Sequence, residues 1–122
     1  LWPGLRELFP QQDADGIDVQ ELRNRFHAVI ALEAARCVEE KVVIDMREAD
    51  VGSILGFGFA PFTGGAISYI DGMGTGRFVE MADALAAKYG AQFEAPRLLR
   101  EMAAKNESFY SRFPSSTARQ AA

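Results

Sequence analysis

Ten residues in the middle of the chain, Gly56-Phe57-Gly58-Phe59-Ala60-Pro61-Phe62-Thr63-Gly64-Gly65, hold four glycines and a proline. Glycine gives up the most backbone freedom on ordering and proline lacks an N–H, so no regular helix can run through this stretch. Any fold open to the sequence breaks here, with separate elements on either side. The interleaved phenylalanines offer the compensation. Turned inward, Phe57, Phe59 and Phe62 nail an irregular connection to a core, while Pro61, Gly64 and Gly65 shape its turn. The same rings can instead form a wall for an apolar ligand or another domain, since clustered aromatics serve interfaces as readily as cores. A dinucleotide loop of the G-x-G-x-x-G kind is not expected. Pro61 stands where its third glycine belongs, and the preceding segment reads as helix rather than strand.

The flanks read as helices. Asp18, with Glu21 three residues on, is placed as a capping box for a long helix carrying Leu22, Phe26, Val29, Ile30 and Cys37 on one face, ending near Glu40 or Val42. Val42-Val43-Ile44 breaks that period, and Asp45 offers an N-cap for a helix over Met46–Leu55. After the glycine stretch a short helix is expected over Ala66–Asp71, closed by Gly72-Met73-Gly74. Thr75 then caps a helix through Tyr89 with Phe78, Met81, Ala82 and Leu85 inward. Pro96 opens a final helix to about Lys105 that faces Leu98, Leu99 and Met102 to the core. No segment alternates with period two, so the fold class is all-α, a compact bundle of about five helices. Leu1 to Ile17 reads as a lead-in that packs by Trp2, Leu5, Leu8 and Phe9, residues 18–110 as the domain, and Ser111 to Ala122 as a loose polar tail.

Composition narrows the function classes. In 122 residues the hydrophobic fraction of 48% and charged fraction of 25% fit a globular domain. A net charge of −4 argues against nucleic acid, which needs clustered Lys and Arg. A chain that opens on Leu1-Trp2-Pro3-Gly4 without an initiator Met is expected to be part of a longer polypeptide. The single cysteine, Cys37, is expected as a small buried hydrophobe in a reducing compartment. No membrane span or secretory signal is legible.

Individual polar residues point to structure before chemistry. His27, the one histidine, has no second ligand at metal spacing and no orienting partner, so it is expected as an ordinary helix residue. Glu33 falls on the apolar stripe and needs a partner, either Arg36 three residues on or backbone N–H groups of the glycine stretch. Asp71 is placed to fix the turn Asp71-Gly72-Met73-Gly74 through backbone amides.

Several motifs, in order, resemble one family. Glu33-Ala34-Ala35-Arg36-Cys37-Val38-Glu39-Glu40, Glu48-Ala49-Asp50, the glycine and aromatic stretch, and Tyr69-Ile70-Asp71 are similar to the second C-terminal 3-hydroxyacyl-CoA dehydrogenase domain of multifunctional fatty-acid oxidation α-subunits. The likeness runs from about Leu22 to Tyr110 and includes Met102-Ala103-Ala104-Lys105-Asn106 near its end. Ala60 departs from it, standing where that family more often shows a second proline. The resemblance implies a parent in which NAD, held by an upstream Rossmann domain, oxidises 3-hydroxyacyl-CoA to 3-oxoacyl-CoA in β-oxidation. In the parent a hydratase domain can precede, and this last helical domain packs on a sister helical domain. It also implies a cytoplasmic or organelle-matrix location. The family's catalytic His-Glu pair matches no position here, so this chain is expected to hold no catalytic, cofactor-binding or metal residue. Glu33, Phe57, Phe59, Pro61, Phe62, Gly64, Gly65 and Asp71 are then its structural or interface residues. Expected partners are the Rossmann and sister domains, with a homodimer as a further option. The alternative is a stand-alone binder of an acyl chain or acyl-CoA, with the Phe57, Phe59 and Phe62 cluster as its wall.

Overall fold

A computed structural model describes residues 2–9 and 14–114. Among them there is no strand, and the helices are α1 (Leu5–Leu8), α2 (Val19–Glu39), α3 (Met46–Phe57), α4 (Ala66–Met73), α5 (Thr75–Tyr89), α6 (Arg97–Lys105) and α7 (Phe109–Arg112). Short 3-10 turns fall at Ala14–Gly16, Pro61–Thr63 and Ala91–Phe93. The all-α class is as expected, and α2 to α6 are the five longer helices foreseen from periodicity.

The helix ends follow from their caps. The Asp18 carboxylate accepts from Gln20 N at 2.9 Å and Glu21 N at 3.0 Å, but the box is only half made. Glu21 turns away to Lys88 and the Tyr89 hydroxyl on α5. Asp45 caps α3 through Arg47 N at 2.9 Å, and Arg47 holds its carboxyl well down, to about 2. The helix α3 stops at Gly58, whose φ of +73° is the left-handed C-cap that glycine adopts freely. Thr75 is not a cap: it is the first residue of α5, and its buried hydroxyl donates to the Glu107 carbonyl at 3.0 Å.

The core lies where α2, α4, α5 and α6 meet, around Leu32, Ile67, Ile70, Phe78, Leu99 and Met102, all fully buried. Each large side chain there contributes about 1.5–3 kcal/mol by leaving water. The face of α2 that enters this core is Ala28, Ala31, Leu32, Ala35 and Val38, not the stripe of Leu22, Phe26, Val29, Ile30 and Cys37. Small alanines let neighbouring helices approach closely, so the alanine face wins the interior. The larger residues occupy a second apolar face.

The ends also differ from expectation. Trp2, Leu5, Leu8 and Phe9 are all exposed, so the lead-in does not pack by its apolar residues. Past residue 110, α7 continues to Arg112 and Phe113 stacks on buried Phe109 at 6.4 Å. The remainder of the expected tail, residues 115–122, lies outside the described residues.

Candidate docking surface

A carboxylate that the sequence reading passed over sets the geometry. The start of α4 needs acceptors for its free N–H groups, and the residue before it, Gly65, has no side chain to offer. Asp50, on the buried face of α3 and only 4% exposed, supplies them. It accepts from Ile67 N at 2.8 Å, Ser68 N at 3.1 Å, Ser68 Oγ at 2.5 Å and the Tyr110 hydroxyl at 2.8 Å. Ser53 adds an acceptor for Ala66 N at 3.1 Å. Gly65 has φ +123°, and a Cβ there would lie 2.4 Å from Asp50 Cβ and 2.6 Å from its Cα. Close approach, as much as the turn, therefore demands glycine at this position.

This clamp fixes α3 against α4, while α2 packs on α4 from another side. Helices α2 and α3 touch each other little. Between them runs an open groove of about 630 Å³, lined by Val29, Ile30, Ala34 and Cys37 from α2 and by Ala49, Gly52, Ser53 and Phe57 from α3. Val43, between the two helices, also lines it, and Glu33 and Glu48 stand one on each wall. The α2 side is the second apolar face, the one that periodicity selected as core. Phe26 at 62% exposure and Leu55 at 80% extend the apolar surface around the groove. Gly52 sits in the middle of α3 with nothing within 4 Å of where its Cβ would be. A helix-interior glycine costs about 0.5–1 kcal/mol against alanine, and nothing inside the chain requires it.

The residues singled out from sequence are only partly brought together. Phe59 is 2% exposed and packs against the rings of His27 at 5.4 Å and Tyr69 at 6.0 Å. Phe57 and Phe62 do not turn inward: they are 64% and 87% exposed. The reason is that α4 begins over Ser53, so Phe57, a turn further along α3, has no helix above it. Phe57 instead walls the groove, and Phe62 projects from the 3-10 turn that Pro61 opens. Gly64 is left-handed at φ +84°. Glu33 is exposed and paired with Arg36 at 3.0 Å, not with the glycine stretch. Arg36 in turn donates to the carbonyls of Gln92 at 3.3 Å and Glu94 at 2.8 Å. Asp71 does not fix its own turn. It accepts from Phe109 N at 2.8 Å and Tyr110 N at 3.1 Å, capping α7, and burial pushes its carboxyl up. Cys37 is half-exposed in the groove rather than buried.

Asp50 and Tyr110 were legible only indirectly. The signal was a helix start preceded by two glycines, which lacks its own cap and must borrow one. The lining of the groove is almost wholly apolar. His27 is held between Phe59 and Tyr69, its centroid 5.2 Å from the latter, and no group of three or more His, Cys, Asp or Glu among the described residues is placed to hold a metal ion. Among the described residues no helix is long and apolar enough to cross a membrane.

No protein-family model matches the chain. Over 93 residues it is 43% identical to the fatty acid oxidation complex subunit alpha of Acinetobacter baumannii (strain SDF). The matched span is 76% of this chain but 13% of that protein. By sequence, then, the chain is a relative of one segment of the fatty acid oxidation complex subunit alpha.

Proposed function

We propose that this chain is the C-terminal helical packing domain of a multifunctional fatty-acid oxidation polypeptide, lending its α2–α3 surface to a neighbouring helical domain of the same polypeptide. On this reading the NAD-dependent oxidation of 3-hydroxyacyl-CoA belongs to upstream domains, and the present residues supply stability and placement. The observation that carries it is the apolar groove between α2 and α3, rimmed by exposed phenylalanine and leucine. Open apolar surface of this kind marks a contact face more often than a free surface. The small share of the related protein that the chain spans supports the same view. A cytoplasmic or organelle-matrix location and the Rossmann and sister domains as partners follow from the proposal.

Cys37 gives a direct test, because it is the one cysteine of the chain and lines the groove. Maleimide labelling of its peptide is expected to be fast in the 122-residue chain and slower by about a hundredfold in the full-length polypeptide, where roughly 2.7 kcal/mol of docking free energy would have to be overcome. Equal rates would rule the reading out. Calorimetric titration of the 122-residue chain with NADH and with acetoacetyl-CoA is expected to give no heat. Saturable binding of an acyl-CoA, lost on Phe57→Ala, would instead favour an acyl-chain site.

A further inference from the structure

We draw no further inference here: the strongest candidate, the apolar groove between α2 and α3, belongs to the surface already described, and nothing in the structure shows what covers it.

Discussion

At the residue scale, two positions carry more than their size. Gly65 lies against the Asp50 backbone with φ +123°, so Gly65→Ala is expected to cost at least about 2 kcal/mol, from strain and overlap together. Urea unfolding of the two proteins checks it, and a loss under half that size would show the clamp to be slack. Tyr110 reads out the same clamp. Burial and then the neighbouring Asp50 carboxylate push its hydroxyl up to about 12 from an ordinary 10.0. A folded value raised above the unfolded one contributes stability in full below pH 10, and that contribution drains away as pH rises through 12. Absorbance at alkaline pH is expected to show Tyr110 titrating late, near pH 12, alongside Tyr69, which burial also pushes up, and the late amplitude is expected to shrink in Tyr110→Phe. An undiminished late step in the variant would contradict the assignment. Gly65 was legible in the sequence as a turn-shaping residue, whereas the role of Asp50 was not. Its partners lie seventeen and more residues away, beyond the reach of any local pattern.

At the scale of elements, boundaries were largely legible because caps are local chemistry: Asp18, Asp45, Gly58 and Gly90 sit where helices begin and end. Faces were less so. Helix α2 is apolar on two sides, and large residues alone selected the outer one, whereas alanines line the inner. The three phenylalanines divide for a similar reason, since each one's fate depends on which helix happens to stand above it. Phe59→Ala is expected to cost about 3–5 kcal/mol, while Phe62→Ala should stay within about 0.5 kcal/mol of wild type. Parallel unfolding curves decide, and comparable losses would mean that Phe62 is covered. Gly52→Ala separates stability from docking. It should raise the stability of the 122-residue chain by about 0.5–1 kcal/mol by relieving a helix-interior glycine, yet speed Cys37 labelling in the full-length polypeptide by crowding the groove.

For the whole molecule, the five longer helices enclose one core, and their arrangement leaves α2 and α3 splayed on α4 with an apolar groove between them. Composition and pattern foretold the class, and the family likeness was carried by ordered motifs along most of the chain. The groove itself was hidden, because it is a property of how α2 and α3 diverge and of what fails to cover them. Its floor of small side chains and its exposed phenylalanine are what a docking surface needs. The most direct test replaces Phe57 with a photoreactive benzoylphenylalanine in the full-length polypeptide and maps the cross-links by mass spectrometry. The account predicts links to a helical segment of the same polypeptide outside these 122 residues. No cross-link, or links confined to residues within this chain, would contradict it.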